Sequence, residues 1–412
     1  MPPVNAVIVG NGHYVSGLTS LAGTRATDKD SGVLLPSVLQ LRSEGLIDRV
    51  AVAARDGDKL AAMRSRISVL ARSFGWSDDL ALYPESGTLD ERAYLRALAD
   101  MPRPCVALIG VPDFLHEQVI RECIRQDVPF LVVKPALVSL ETYYDIIEEM
   151  EARGVFGMVD YHKVFDQMNV MLREEYRAGE YGRLYHAYSL MTQRRDMLEI
   201  YERWLGSDPS LNVNHYLGSH YAHLIGYITG ARPIEVRATA QGTIAARRVG
   251  RDVADVIEMQ VGWELPGGAR FVSYHVSGWS DPPETESMTY QELHLLCEHG
   301  HVDSDQRDRG FRKVLSGRGH VAPNPYFFNL RADESGRADL STQYGYRSVR
   351  AFVLAAAQVL EGARAAQGFG DGLPTMRESE GITAVLAAAD VSLEARSRVV
   401  GILRTGDRYV LD

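Results

Sequence analysis

Cysteine is scarce in this sequence. Cys105, Cys123 and Cys297 are the only three in 412 residues, far apart and without a C-x-x-C pair. That argues against a disulfide framework and against a structural zinc site, and it predicts a reducing compartment, the cytoplasm. No apolar run is long enough to span a bilayer, and the first strand-like run begins too near Met1 to leave room for a signal peptide. Positive charge is in deficit: 44 Lys and Arg face 54 Asp and Glu, for a net charge of -10. Neither nucleic acid nor an anionic membrane is therefore expected as a partner. There is no internal repeat, no low-complexity tract and no Pro/Ser-rich linker, so any domains are expected to pack closely. What remains is a globular composition, 45% hydrophobic and 24% charged, in a chain long enough for two domains.

The stretch that organises the chain is Val4-Asn5-Ala6-Val7-Ile8-Val9-Gly10-Asn11-Gly12. Five of the six residues before Gly10 are apolar and four are β-branched. Such a run, ended by glycines, predicts a buried parallel strand. Gly10 and Gly12 form the first half of a G-x-G-x-x-G dinucleotide fingerprint, one glycine for the tight turn and one for close approach of a pyrophosphate. The third glycine is missing, and Val15 stands in its place.

From His13 to Asp30 the chain is rich in Gly, Ser, Thr and Asp, and helical patterning resumes only at Ser31-Gly32. This predicts an insertion in the phosphate loop: a surface loop, a lid over the cofactor or a subunit contact. The second strand, Val50 to Ala54, is followed by Arg55 where an acidic residue often holds the ribose of NAD. A guanidinium there suits the 2′-phosphate of NADP, so NADP is favoured over NAD, with Asp56 as the alternative ribose ligand. Helical patterns over Leu60 to Phe74 and Leu89 to Ala99, the strand Val106 to Pro112, a helix through Val119 to Ile124 and the strand Phe130 to Val133 complete the alternation. Strands alternating with helices predict βαβ units on a parallel sheet, whose ligands bind beyond the carboxyl ends of the strands. Gly12, Arg55, Pro112 and Lys134 all lie at such ends and are expected to share one crevice. Lys134, after four apolar residues and before Pro135, is placed to polarise a reacting oxygen there.

At Lys134-Pro135 the pattern resembles a known family. G-x-G, then Val111-Pro112-Asp113 with His116, then a strand ending in K-P, resemble in order the Gfo/Idh/MocA family of NAD(P)-dependent oxidoreductases. Tyr161-His162-Lys163-Val164-Phe165-Asp166 is similar to the family's Y-H-K-R-F-D stretch, and Gly179 to Leu184 to its G-x-x-G-x-[IL] turn. Tyr216 to His223 is similar to D-x-G-x-H-x-x-D, with His220 kept and both aspartates replaced by Tyr216 and His223. Val133 likewise replaces the glutamate of E-K-P.

The resemblance covers nearly the whole chain. It implies a Rossmann dinucleotide-binding domain over 1–135 and an α+β domain over 136–412 with a large, mostly antiparallel open sheet, its last helices free to pack back on the first domain. It implies NADP or NAD as cofactor, held by Gly10, Asn11, Gly12, Arg55, Val111, Pro112, His116 and Lys134, and a homodimer or homotetramer. His220 is implied as general acid/base, a role suited to an imidazole whose ordinary pKa lies near neutrality. Tyr216 is read either as a hydrogen-bonding or proton-relay group or as aromatic packing. His162, Lys163, Asp166, His215 and His223, with Asn212 and Asn214, form a polar set expected to bind a polyhydroxylated substrate. The spacing of His215, His220 and His223 lacks H-E-x-x-H, so no metal is expected. The activity implied is hydride transfer to or from a secondary alcohol of a sugar, sugar derivative or cyclitol. Two rivals share the fold: a catalytically degenerate nucleotide-binding sensor or structural protein, and a glycoside-cleaving enzyme using transient oxidation by bound NAD.

Overall fold

The computed structural model describes residues 2–17, 31–198, 202, 211–250, 252–317 and 319–412. Most of the expected insertion, 18–30, lies outside the described residues.

The first strand, β1 (Val4–Val9), is buried along its whole length. It pairs in parallel with β2 (Ile47–Ala53) on one side and β4 (Cys105–Ile109) on the other, which is why its sequence shows no polar alternation. With β3 (Ala81–Tyr83), β5 (Phe130–Val133) and β6 (Gly157–Asp160) it builds a six-stranded parallel sheet of order β3-β2-β1-β4-β5-β6. Residue 135, the boundary expected from the sequence, falls between the fifth and sixth strands of this sheet. The crossover helix Leu140–Arg153 and β6 continue the same unit to Asp160.

Local chemistry fixes the helices. Asp56 caps Gly57–Phe74 by accepting from the amides of Asp58 and Lys59, and Gly75 closes that helix in the left-handed region. Ser139 and Gly154 do the same for Leu140–Arg153. The helix expected from Leu89 begins later, at Ala93, because the Asp90 carboxylate accepts from the Arg92 amide at 2.8 Å and holds a turn ahead of it.

The second sheet has eight strands in the order β12-β11-β7-β10-β9-β8-β15-β16. They are β7 (Leu184–Arg194), β8 (Arg232–Gln241), β9 (Val256–Glu264), β10 (Arg270–Asp281), β11 (Thr289–Cys297), β12 (Gly300–Asp305), β15 (Val400–Thr405) and β16 (Arg408–Leu411). Only β7 and β10 run parallel to each other among its pairs, so the sheet is mixed and mostly antiparallel. A small hairpin, β13 (Lys313–Leu315) with β14 (Gly319–Val321), stands apart. The fold is therefore α/β, a Rossmann-type sheet plus an open α+β sheet.

Inside the second sheet a buried hydrogen-bonded chain links Trp263 Nε1, which donates to Ser273 Oγ, with His275 Nε2 and, through its Nδ1, Ser189 Oγ, each step 2.7 Å. The helix Tyr344–Leu360 returns to the first domain, where Val349, Phe352 and Val353 share a core with Val4 and Ile8. The helix Glu380–Glu394 covers β8.

Candidate active site

The site grows from the end of β1. Gly10 has φ +118, and a Cβ there would stand 2.3 Å from the Gly110 carbonyl oxygen, so only glycine fits where the two strands part. At Gly12 no described atom lies within 4 Å of where a Cβ would be. Val15, in the place of the third glycine, is fully buried against Gly110, whose own missing side chain gives it room. The close packing that the fingerprint draws from its third glycine is here drawn from the neighbouring strand end. Asn11 ties the loop: its Oδ1 accepts from Ser16 at 2.9 Å and its Nδ2 donates to the Lys59 carbonyl. Gly17 and Gly32 then touch backbone to backbone, and the Val33 amide donates to the Tyr14 carbonyl at 2.6 Å. Tyr14 is thereby fixed beside the loop.

A cleft of about 1100 Å³, its open mouth included, lies between the carboxyl ends of the parallel sheet and the second domain. Gly12, Val111, Lys134, His162, Tyr216 and His220 all line it. Lys134 leaves the end of β5, half-buried, and its ammonium donates to the Tyr216 carbonyl and sits 4.2 Å above the Tyr216 ring. Burial lowers its pKa to about 8, against the opposing pull of Asp113 and Asp160. Burial also raises the Asp113 carboxyl, with His116, Lys134 and His215 acting the other way.

On the second domain the turn Asn214–Gly218 leads straight into the helix Ser219–Thr229, which carries His220 to the cleft wall. Its proton affinity is well below that of an ordinary imidazole, through burial first and then the nearby Lys134, His162, Lys163 and His223. His220 Nδ1 is buried with no hydrogen-bond partner among the described residues. The imidazole of His162 lies 5.0 Å from that of His220, ring centre to ring centre.

The other expected residues stand behind or beyond this wall. His116 is fully buried, with Nδ1 3.0 Å from the Pro135 and Ala136 carbonyls and Nε2 3.0 Å from that of Val111. It clamps the two strand-end loops together rather than lining the cleft, and Pro112 lies in the loop it holds. Arg55 is largely exposed and sits 3.5 Å from Glu91, outside the cleft lining, while Asp56 is occupied as a helix cap. Lys163 donates to Gln291 at 2.6 Å and Gln306 at 3.0 Å. Asp166 caps the helix Gln167–Arg177 and pairs with Arg309.

His215 and His223, expected to bind substrate, are not among the residues that line the cleft. His215 Nε2 turns to Asp390 at 2.7 Å, on the helix Glu380–Glu394. His223, one turn beyond His220, stacks on Tyr161 at 4.0 Å and borders a separate cavity with Tyr227 and Trp263.

Several cleft residues were not singled out from the sequence. Asp160 ends β6 as Lys134 ends β5, and a charged residue closing a buried strand was the available signal. Tyr14, Gln193, Gln291, Phe327 and Tyr344 also line the cleft, and Met191, Met197 and Met288 add an apolar wall. Of these, Tyr14 lies in the stretch from His13 to Asp30 that the sequence marks as an insertion in the phosphate loop. Among the described residues no group of three or more His, Cys, Asp and Glu is arranged to hold a metal, and no helix is long and apolar enough to cross a membrane.

No protein-family model and no curated protein matches the chain. Solved structures do. The chain is similar to myo-inositol 2-dehydrogenase from Lactobacillus plantarum, with TM-score 0.68 and 13% identity over 97% of this chain and 100% of that one. Scyllo-inositol dehydrogenase from Lactobacillus casei, with bound NAD(H) and scyllo-inositol, gives 0.66 and 13% over 97% and 99%. A protein of gentamicin A biosynthesis in complex with NAD gives 0.65 and 18% over 98% and 97%. At these identities the likeness is one of fold.

Proposed function

We propose that this protein is an NAD(P)-dependent oxidoreductase that moves a hydride to or from a secondary alcohol or ketone of a polyhydroxylated substrate, a sugar, sugar derivative or cyclitol. The observation that carries the reading is the meeting of Lys134, from the end of a parallel strand, with His220, from the second domain, across one cleft floored by Gly12. The open space at Gly12 and the positive φ of Gly10 fit a pyrophosphate drawn against backbone amides. Gly10, Asn11, Gly12 and Val111 would hold the dinucleotide, which supplies the hydride acceptor or donor when bound. The like fold of dehydrogenases described with NAD and scyllo-inositol supports the same class of cofactor and substrate.

The chain's own residues handle the charge and the proton. Lys134, held by the Tyr216 carbonyl and ring, presents an ammonium that stabilises negative charge developing on the reacting oxygen. His220, held neutral by burial among cations, offers a hydrogen bond to the reacting hydroxyl from the cleft wall. Tyr216 adds a phenol at the same wall. Gln193, Gln291 and His162 offer hydrogen bonds to further hydroxyls, while the three methionines give an apolar surface. The open face of the second sheet, with Leu190, Val272 and Val276 half-buried, is proposed as the subunit contact.

Titration with NADPH and NADH, followed by nicotinamide fluorescence, tests the reading. Tight NADPH binding assigns the phosphate to Arg55 despite its Glu91 neighbour, and tight NADH binding assigns the ribose to the Asp56 turn. Failure of both to bind refutes the proposal.

A further inference from the structure

Among the described residues, the carboxylates that line the cleft, Asp113 and Asp160, belong to the parallel-sheet side. Asp160 is buried at the end of β6 and accepts two hydroxyls: Ser348 Oγ donates to Oδ1 at 2.5 Å and Tyr14 to Oδ2 at 2.6 Å. The Tyr14 oxygen also lies 3.1 Å from His162 Nδ1. A phenol has one proton, and the shorter contact, to an acceptor-only carboxylate, takes it. Toward His162 the Tyr14 oxygen can then only accept, so Nδ1 of His162 is the donor. In a neutral imidazole that leaves Nε2 as the lone-pair nitrogen.

We propose that Asp160 and Tyr14 are positioning residues that fix His162 with Nδ1 protonated and Nε2 as a proton acceptor for the substrate hydroxyl. The inference rests on the hydride-transfer reading of the cleft. In oxidation the substrate O–H bond breaks, its electron pair stays on oxygen to form the carbonyl, and the proton bonds to Nε2, while the NAD(P) of that reading takes the hydride. His162 then carries a positive charge, balanced by Asp160 through the Tyr14 hydroxyl, as a buried carboxylate balances a histidine it orients. The division of labour has a physical reason. Lys134, Lys163 and His162 all crowd His220, and burial drives it further toward the neutral form. Of His162 and His220, it is His162 that reaches a carboxylate, through the Tyr14 hydroxyl. Among the described residues, the titratable groups sharing its surroundings include His13, Tyr14 and Asp160 on the sheet side, Tyr344 at 5.5 Å, its chain neighbour Lys163, and Lys134 and His220 in the same cleft.

Histidine-selective 15N NMR of the cofactor-free protein reads the tautomer directly, with the His162 signal assigned by its loss in His162→Gln. Tyr14→Phe keeps the ring and removes only the oxygen. The expected result is an Nδ1–H tautomer in the wild type, lost in Tyr14→Phe, with the His162 titration moving down by about one pH unit there and in Asp160→Asn. With substrate, Tyr14→Phe should lower kcat about tenfold at unchanged KM and shift the acid limb of the oxidation profile to lower pH. An Nε2–H tautomer in the wild type, or a titration unmoved by Tyr14→Phe, overturns the assignment whatever the protein binds. Absence of NADH and NADPH binding by the wild type overturns instead the hydride-transfer reading, and with it the substrate step, since the tautomer is read without cofactor.

Discussion

The ammonium of Lys134, at the end of a strand in the first domain, sits 4.2 Å above the ring of Tyr216 in the second and donates to its backbone carbonyl. One side chain thus bridges the two domains at the point where they form the cleft. Its position is set from both sides, by strand β5 and by the turn that opens the helix of His220.

Lys134→Met is expected to lower hydride transfer about a hundredfold or more while leaving cofactor affinity within about twofold, because it removes charge stabilisation and little volume. Tyr216→Phe keeps the ring and the carbonyl that hold Lys134, so it isolates the phenol; a loss of about tenfold in kcat/KM is expected. Tyr216→Leu, which removes the ring under the ammonium, should cost more. Single-turnover kinetics with separately measured cofactor binding decides between these effects.

The lowered pKa of Lys134, about 8, gives the reaction a pH limb. Ketone reduction uses the ammonium, so its kcat/KM should fall as pH rises through about 8. Lys134→Arg, which keeps its charge at all accessible pH, should abolish that limb even if it lowers the rate. His220→Ala should reduce turnover about 10²- to 10⁴-fold in either direction with near-normal cofactor binding.

Gly10 and Gly12 should separate stability from binding. Gly10→Ala places a methyl 2.3 Å from a carbonyl oxygen at φ +118, so a clear drop in thermal midpoint is expected, on the order of 2 kcal/mol or more. Gly12→Ala meets no described atom within 4 Å and should melt like the wild type. It should nonetheless bind NAD(P) at least about tenfold more weakly, because its methyl fills the space assigned to the pyrophosphate. Equal binding by Gly12→Ala and wild type would count against the cofactor site.

Acid should destabilise the fold through its buried histidines. Burial holds His223 and His275 each at about 3, against an ordinary value of 6.5. Between those values the unfolded chain binds more protons than the folded one, so stability rises with pH across the window and is lost as pH falls below about 6.5. Each histidine adds a slope of up to about 1.4 kcal/mol per pH unit. Urea unfolding between pH 7 and 4.5 measures the total, and His275→Gln or His223→Gln should flatten it by one such increment.

Much of the first domain was legible in the sequence because β1, β4 and β5 are buried along nearly their whole length and so carry apolar runs, each ended by a glycine or a charge. The Gly10 turn and the lysine just beyond β5 follow from backbone sterics and from the cost of burying charge, both local properties. The second sheet was legible as a large, mostly antiparallel sheet through the resemblance of the motifs around it. Its order was not, since β15 and β16 join it from the far end of the chain.

The site divides along the same line. Lys134, Tyr216 and His220 could be named because the residues around them form a pattern along the chain. The separation of His220 from its neighbours His215 and His223 could not. Three side chains within nine residues part company only when the Asn214–Gly218 turn and the following helix aim them at Asp390, the cleft and Tyr161. Nor could the contact of Tyr14 with Asp160 and His162, groups almost 150 residues apart in sequence. Sequence fixes which groups are available and which strands end where. Which of those groups share a proton is decided by the packing that closes one domain on the other, through distances no local pattern encodes.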